Sequence, residues 1–387
     1  MPVPVPADAD AIHGPPDPEA AQALADGVAT AVAPAAGLTH LQRVLIEALF
    51  KELTNRVVDV SVPRAVTPEE FARLLALRPL ATRERLIQVM LLCALVLRPL
   101  PRDVATRIDA YAIELCVEDG MATVAEDFAK HSYVLAAKDF DRNGYVETWQ
   151  ADAAAELHTA SALESAWSAD VDDPELAARW AALGDLPRGT LGRGVWEMYQ
   201  ARGFVFPGLP GSAPPLLAQH DWVHVLADYG TTVESELEVF GFIARANDDM
   251  HAFSLLAMVI SLFETGSLKH GAGLFEASPG HLSANERVAI RLADAMHRGA
   301  DCHDITAANN SVDFLRIDWF GVAHLTLEQA RERFAIPSKS PDACDAGSVG
   351  PWQPGGISPF QLNSGQKMAA EAGRAYDAFG ATVADPA

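Results

Sequence analysis

Cysteine and basic side chains are scarce in this sequence, and each shortage excludes a class of protein. Four cysteines occur in 387 residues, at Cys93, Cys116, Cys302 and Cys344, and no two have the C-x-x-C spacing of a thiolate metal site. So few cysteines cannot form a disulfide framework, and we expect a reducing compartment. Lys and Arg number 29 against 52 acidic residues, a net charge of −23 that repels phosphate. We therefore predict no nucleic-acid partner.

Long apolar runs and an early basic segment are also missing. The two longest nearly continuous runs, Ile87–Leu97 and Phe253–Phe263, have 11 residues each, whereas a membrane-spanning helix needs about 20. The first 37 residues hold seven prolines and five acids but no Lys or Arg, unlike a secretory or transit peptide. We predict a disordered leader there. The Ala-, Arg- and Pro-rich composition suggests a GC-rich bacterium, so we expect a cytoplasmic bacterial protein, with peripheral membrane contact as an alternative.

Helical spacing dominates the rest of the sequence. Apolar residues recur three and four positions apart from Leu38 onward, and alternating strand patterns are missing. We predict an all-α fold with a leader at 1–37, a helical module at 38–150, a helical connector at 151–180, a metal-binding domain at 181–337 and a loosely attached Pro/Gly-rich tail at 338–387. The predicted helices are 67–77, Thr82–Leu97, Arg102–Cys116, Met121–Lys138, Leu191–Gln200, Leu216–Asp228, Thr232–Ala246, Met250–Phe263, Ser283–Arg298, Thr326–Phe334 and, in the tail, Gln366–Phe379.

A pair of histidines one helical turn apart is the clearest functional signal. His220 and His224 are at positions i and i+4 of a predicted helix, so both imidazoles face the same side. We expect Gly230 to end this helix and Thr231 to begin the next through a capping box. The two helices then form a tight hairpin. At a rise of about 1.5 Å per residue, Glu236 returns to the level of His224.

Two imidazoles and a carboxylate are the ligands of open zinc sites and of two-His-one-carboxylate iron sites. We predict a divalent metal held by His220, His224 and Glu236, with zinc first and iron, cobalt and manganese as alternatives. Asp221 is either a fourth ligand or an acceptor that fixes one imidazole tautomer. A phenol or carboxylate bound to the metal becomes more acidic, and we predict that Asp221 or Glu234 moves the proton.

The same residues resemble the signature of a known family. His-Asp-x-x-His followed after eleven residues by Glu, here from His220 to Glu236, is similar to the signature of the ubiquinone (coenzyme Q) biosynthesis protein 4 family. The segment Leu186–Arg193, with the sequence LPRGTLGR, resembles that family's LPxGTLGR segment. Ile317–Trp319 and Leu327–Arg331 resemble its closing segment. The resemblance covers about residues 180–337.

The resemblance implies an all-α fold and a metal bound by His220, Asp221, His224 and Glu236. It implies action on a quinone-precursor ring, where the family is associated with oxidative removal of the ring carboxyl group. The expected substrate is small and aromatic or prenylated, from ubiquinone-like or specialised-metabolite biosynthesis, and biosynthetic partner proteins are expected. The helical module at 38–150 resembles the TerB-like helical domain of tellurite-resistance proteins. Its role and the oligomeric state stay open.

Two other interpretations of the histidine pair remain. A non-catalytic protein would use the metal to staple the hairpin of a lipid-binding or scaffold module for a biosynthetic complex. An exchangeable water on the ion distinguishes an enzyme from such a closed site. An HD-type phosphohydrolase would use His220 and Asp221 together with His158, Asp248 and Asp249.

Two local motifs favour structural explanations. The segment Asp139–Gln150 resembles a calcium loop as far as Gly144, but Gln150 replaces the bidentate Glu at its last position, which favours a polar turn. Cys302, His303 and Asp304 are adjacent, but adjacency alone does not set catalytic geometry. We interpret them as a loop.

Overall fold

The computed structural model describes residues 16–97, 101–117, 173–210, 212, 218–247, 256, 287–307 and 312–384. Across these residues the chain is all-α, as predicted, and the only β contacts are two isolated bridges, Thr190–Thr326 and Pro354–Thr382. The first helices are α1 (Pro18–Val32), α2 (His40–Thr54), α3 (Pro68–Leu74), α4 (Leu80–Leu95) and α5 (Arg102–Leu115). Next come α6 (Pro174–Ala182), α7 (Leu191–Arg202), α8 (Gln219–Ala227), α9 (Val233–Asn247) and α10 (Arg287–Asp301). The last are α11 (Trp319–Val322), α12 (Leu327–Arg333), α13 (Pro341–Asp345) and α14 (Pro359–Glu371).

Capping side chains set the starts of helices that the sequence predicts. The Thr67 side chain accepts a hydrogen bond from the backbone N–H of Glu70 at 3.2 Å, which starts α3. Thr326 and Gln329 form a complete capping box at the start of α12. These bonds satisfy N–H groups that have no partner within the helix. The helices α3 and α12 therefore begin where the sequence predicts them.

Two hydrophobic clusters meet along α9. Leu237, Phe240 and Ala244 pack with the helices α1 to α5. Val239 and Phe242, on the other side of α9, pack with α6, α7, α8 and the segment around α11. A helix that is apolar on opposite faces lies inside a fold rather than at its surface. The helices α1 to α5 on one side and α6 to α8 on the other therefore both pack against α9.

Two buried ion pairs connect α9 to its neighbours α2 and α10. Arg245 of α9 donates to Glu52 of α2 at 2.8 Å, and Arg291 of α10 donates to Glu238 of α9 at 2.6 Å. Each of the four side chains is less than a tenth exposed. Removing one partner of such a pair leaves an uncompensated charge in the interior, which costs about 3–5 kcal/mol. The pairs therefore fix the position of α2 and α10 against α9.

The prediction of a disordered leader is wrong for residues 18–32, which form α1. The carboxylate of Asp17 accepts from the N–H of Ala20 at 2.8 Å, and Pro18 lies in the first turn. Ala21 and Val28 are fully buried in the first hydrophobic cluster. Proline is compatible with a helix at its first position. The proline-rich composition therefore concealed a helical apolar spacing.

The prediction of a loosely attached tail is also wrong. α14 begins with a capping box of Ser358 and Gln361, seven residues before the predicted start at Gln366, and it ends at Glu371 rather than at Phe379. A Cβ atom on Gly365 would lie 2.2 Å from the carbonyl oxygen of Ala201. The glycine thus allows α14 to pack on α7 backbone to backbone. Composition alone cannot distinguish this use of glycine from a loop.

Several predictions lie outside the described residues. They include the helices Met121–Lys138 and Met250–Phe263, the calcium-like loop Asp139–Gln150 and most of the connector at 151–180. Among the described helices, none combines the length and the apolar character that a membrane span requires.

Candidate metal centre

Helices α8 and α9 form the predicted hairpin, and an aspartate makes its turn. The N–H of Asp228 donates to the carbonyl of His224, and Asp228 has a φ of +66°. Asp and Asn are the non-glycine residues that best tolerate this left-handed conformation. The prediction that Gly230 ends α8 is therefore corrected to Asp228. α9 begins at Val233, one residue after the predicted Thr232, and the hydroxyl of Thr231 accepts a hydrogen bond from Nε of Arg202, while the capping box predicted at Thr231 stays a prediction.

The structure brings the four predicted ligands together inside this hairpin. Nε2 of His220 lies 3.4 Å from Oδ1 of Asp221 and 3.3 Å from Oε2 of Glu236. Nε2 of His224 lies 3.2 Å from Oε1 of Glu236. One ligand atom from each of His220, Asp221 and His224 lies within 4.8 Å of the other two. Glu236 stands outside that triplet, yet each of its oxygens contacts an imidazole nitrogen.

The cluster is buried, and the distances between its imidazole and Glu236 atoms are longer than those of strong hydrogen bonds. No more than 7% of the surface of His220, Asp221, His224 or Glu236 is exposed. Distances of 3.2–3.3 Å exceed the roughly 2.7–2.9 Å of charge-assisted bonds. Nε2 of His224 and Oε2 of Glu236 form no hydrogen bond with any described residue. Such atoms are costly to bury. A divalent cation among them would satisfy both, so these residues fit a metal.

A backbone carbonyl orients the His224 ring. Nδ1 of His224 lies 2.7 Å from the carbonyl oxygen of Gly230. Because a carbonyl can only accept, Nδ1 carries the hydrogen and donates it. The Nε2 lone pair is then left to face Glu236 and the rest of the cluster. Metal-binding histidines in proteins are commonly fixed in this way by a partner on their second nitrogen.

A tyrosine orients Asp221. The hydroxyl of Tyr199, on α7, donates to Oδ2 of Asp221. Burial raises the pKa of Tyr199 well above its ordinary value, so the hydroxyl keeps its proton. Oδ1 of Asp221 is left to face Nε2 of His220, the nitrogen that also faces Glu236. Oδ1 of Asp221 and Oε2 of Glu236 therefore both lie beside Nε2 of His220. No sequence pattern marks Tyr199, which precedes Asp221 by 22 positions.

The two carboxylates of the cluster differ in acidity. Burial raises the pKa of Asp221, although the charges of His220 and His224 oppose this effect. Burial is the largest influence and acts to raise the pKa of Glu236, but the attraction and the polar contacts of His224 and His220 together outweigh it and bring the pKa down to about 2. Glu236 is therefore the firmly ionised carboxylate of the pair. Asp221 is the carboxylate better suited to gain and lose a proton.

Arginines from distant segments hold the C-terminal end of α8. Nε of Arg331 donates to the carbonyl of Leu226 at 2.8 Å, and Nη2 of Arg298 donates to the carbonyl of Ala227 at 2.8 Å. Cations favour the C-terminal end of a helix, where carbonyl groups lack partners. Arg331 belongs to the closing segment of the family resemblance. Its contact with α8 gives that segment a structural role beside the metal centre.

The two segments that flank the cluster in the sequence lie side by side. The N–H of Leu191 donates to the carbonyl of Leu325, and the N–H of Leu327 donates to the carbonyl of Gly189, both at 2.9 Å. The segment Leu186–Arg193 therefore contacts the loop that enters α12. The ordered motifs that carry the resemblance thus form one structural unit around α8.

Aromatic side chains surround the hairpin. Trp222 of α8 stacks on Trp319 with ring centres 5.6 Å apart and planes inclined by 5°. Tyr199 packs against Trp180 at 4.9 Å. The ring of His220 lies 4.8 Å from that of Phe240 on α9. These contacts restrict the rings on which the ligand geometry depends.

Glu234 is not brought to the same face as Glu236. The two residues are two positions apart on α9, which separates them by about 200° around the helix axis. The part that Glu234 plays in proton transfer stays a prediction. The additional residues of the phosphohydrolase interpretation, His158, Asp248 and Asp249, lie outside the described residues.

The Cys302–Asp304 segment has the character of a structural loop. Sγ of Cys302 donates to the carbonyl of Arg298 at 3.2 Å, and burial raises the pKa of the thiol. The carboxylate of Asp304 accepts from the N–H and the hydroxyl of Thr306. A buried thiol of raised pKa is a poor nucleophile.

A groove of about 990 Å³ lies apart from the cluster, between α2, α10 and α13. Charged and apolar side chains line it, among them Glu47, Lys51, Ile290 and Asp342. None of the four predicted ligands takes part in its wall. The metal cluster, and not this groove, is therefore the candidate site.

The structure brings together, in the interior, the four residues that the sequence singles out: His220, Asp221, His224 and Glu236. Comparisons of the chain with family models, with curated proteins and with solved structures found no match.

Proposed function

We propose that this protein is a metal-dependent enzyme that acts on a small aromatic or quinone-precursor substrate. The observation that carries the proposal is the buried contact of two imidazole Nε2 atoms with the carboxylates of Asp221 and Glu236. Two carboxylates meet in this buried cluster, and a divalent cation beside the imidazole Nε2 atoms would offset the negative charge that they carry when ionised. The nitrogen and oxygen donors suit zinc first, then iron, cobalt or manganese.

Each ligand residue has a distinct part in this proposal. His220, His224 and Glu236 would hold the cation, which when bound supplies Lewis acidity and lowers the pKa of a phenol or carboxylate. Asp221 faces the metal side through Oδ1 while Tyr199 holds Oδ2. Asp221 is therefore the first candidate to take the substrate proton, and Glu234 is the second.

The substrate class rests on the family resemblance of residues 180–337. It indicates oxidative removal of a ring carboxyl group, with dioxygen as the oxidant, on an aromatic or prenylated acid. An electron-rich ring whose phenol has lost its proton is the form that reacts with dioxygen. The buried cluster, which excludes most water, is suited to hold the deprotonated phenol.

The burial of all four ligands supports a second candidate, a non-catalytic metal staple. His224 is fully buried, and Glu236 is 1% exposed. A closed structural site uses the metal to stabilise the hairpin and leaves no position for substrate. In that case the protein would be a lipid-binding or scaffold module for a biosynthetic complex.

Elemental analysis combined with a product assay tests the proposal. The purified chain should contain one equivalent of divalent metal and convert aromatic carboxylic acids in air. His224→Ala should lose the metal and the turnover, whereas His297→Ala, at an exposed histidine of α10, should keep both. Bound metal without turnover and without an exchangeable water would support the staple. A wild-type chain that binds no divalent metal rejects both candidates.

A further inference from the structure

The tail segment 348–361 lies against the turn between the two metal-site helices. The N–H of Gly230 donates to the carbonyl of Val349 at 2.8 Å, and the N–H of Thr231 donates to the carbonyl of Gly356 at 3.0 Å. A Cβ atom on Gly230 would lie 2.8 Å from Cα of Gly356. The turn and the tail thus approach backbone to backbone, at a distance that only glycine permits.

Arg202 joins the same turn to the same segment from the end of α7. Its Nε donates to the hydroxyl of Thr231, and its Nη2 donates to the carbonyls of Pro351 and Gly356 at 2.7 and 2.8 Å. The side chain is fully buried. Burial lowers the pKa of Arg202 to about 9, with Tyr376 and Glu236 acting against the fall, so the guanidinium remains charged at neutral pH.

Gln361 completes the contact from α14. Its Nε2 donates to the carbonyl of Thr231 at 2.7 Å, and its Oε1 accepts from the hydroxyl of Thr231 at 2.8 Å. Gly230 and Thr231 are therefore held through both of their amides and through the carbonyl and the hydroxyl of Thr231. A buried turn held by this many directional bonds has little freedom to shift.

The same turn supplies the acceptor for the metal-site histidine. The carbonyl of Gly230 accepts from Nδ1 of His224 at 2.7 Å, while the amide of Gly230 donates to the tail. Any displacement of the turn moves this carbonyl and with it the imidazole. Arg202 is thus connected to His224 in three steps: a hydrogen bond to the Thr231 hydroxyl, the backbone from Thr231 to Gly230, and the hydrogen bond between the Gly230 carbonyl and Nδ1 of His224.

We propose that Arg202 and the tail segment 348–361 are positioning elements of the metal centre, which set the His224 imidazole through the carbonyl of Gly230. The inference rests on the proposed metal site and adds a residue and a segment that do not touch the metal. Partners one layer behind a metal ligand commonly change metal affinity by about 10- to 100-fold when they are lost. The tail is thus part of the metal centre rather than an appendage.

Cobalt binding by the full chain tests this role. Arg202→Met removes three donated hydrogen bonds at similar side-chain length. We expect its dissociation constant for cobalt(II), measured by chelator competition, to rise about 10- to 100-fold, with a changed cobalt absorption spectrum. Arg107→Met is the matched control, because Arg107 donates to the carbonyls of Ala31 and Ala33, which belong neither to the turn nor to the tail. This variant should keep the wild-type dissociation constant and spectrum.

Thr231→Val provides a second test if Arg202→Met does not fold. It removes the hydroxyl that joins Arg202 to Gln361 and preserves the backbone contacts, so we expect a smaller loss of affinity with the same spectral change. Wild-type affinity and spectrum in a folded Arg202→Met protein, or in Thr231→Val when Arg202→Met is unfolded, overturn the positioning role. Wild-type protein that binds no cobalt overturns the metal centre itself, so the two failures are distinct.

Discussion

Oε1 of Glu236 lies 3.2 Å from Nε2 of His224, although the two residues belong to different helices. The chain reverses between them, and the reversal brings a carboxylate of α9 against two imidazoles of α8. Both groups are buried. This contact is the basis for expecting a bound cation, and several measurements follow from it.

Metal addition should stabilise the folded protein. A ligand that binds only the folded state at 100 times its dissociation constant adds about 2.7 kcal/mol to the free energy of unfolding. We therefore expect zinc to raise the thermal midpoint of the chelator-treated protein, and the effect should vanish in His224→Ala. An equal rise in His224→Ala would place the binding elsewhere.

Tyr199→Phe should weaken metal binding more than it weakens the fold. The hydroxyl donates to Asp221, and its loss costs about 1 kcal/mol of stability. We also expect about a 10-fold loss of metal affinity, because Asp221 is no longer held. Tyr111→Phe is the control, since Tyr111 donates to the carbonyl of Val66 in the helical module. Tyr111→Phe should lose a similar amount of stability and keep its metal affinity. Equal metal affinities in the two variants would show that Tyr199 does not orient Asp221 for metal binding.

Breaking the ion pair between α2 and α9 should strongly destabilise the protein. Glu52→Leu removes the carboxylate that the buried Nε of Arg245 contacts at 2.8 Å, and we expect a cost of about 3–5 kcal/mol by chemical denaturation. Adding Arg245→Met should recover much of this loss. Glu70→Leu, which breaks an exposed pair with Arg64, should cost far less, because solvent screens such a pair. Similar costs for the two single variants would mean that α2 does not pack on α9.

The helix α1 should contribute to stability although its sequence suggests disorder. Leu24 lies in the first hydrophobic cluster, and Leu24→Ala should lower the free energy of unfolding by about 2–4 kcal/mol. Leu77→Ala, at a side chain that is 94% exposed, should change it by less than about 0.5 kcal/mol. A neutral Leu24→Ala would return residues 18–32 to a disordered leader.

Local chemistry explains which features the sequence predicts. Helix starts depend on neighbouring residues such as Thr326 and Gln329, and the histidine pair depends on a four-residue spacing. The contact of Glu236 with the two histidines is also predictable, because a short turn between two antiparallel helices fixes the height of Glu236 along the helix axis relative to His224. For the residue that ends α8, the sequence favours Gly230, because glycine is the most common residue in the left-handed conformation. In the structure Asp228 adopts this conformation instead.

Long-range contacts explain what the sequence does not predict. Tyr199 meets Asp221 across 22 positions, and Arg202 meets Pro351 across 149. Neither separation has a periodicity or motif to reveal it. The tail is rich in residues that are typical of loops, yet Gly356 is there because two backbones touch. Glycine is frequent both in flexible loops and where two backbones pack closely, so composition alone does not distinguish the two.

Anomalous diffraction at the absorption edge of the bound metal is the most direct test of the central claim. Crystals of the metallated protein should show one ion bonded to Nε2 of His220, Nε2 of His224 and Glu236, with Asp221 on the same side and a position filled by exchangeable solvent. The account is contradicted if the ion binds elsewhere, or if saturating metal leaves these side chains in contact with no ion.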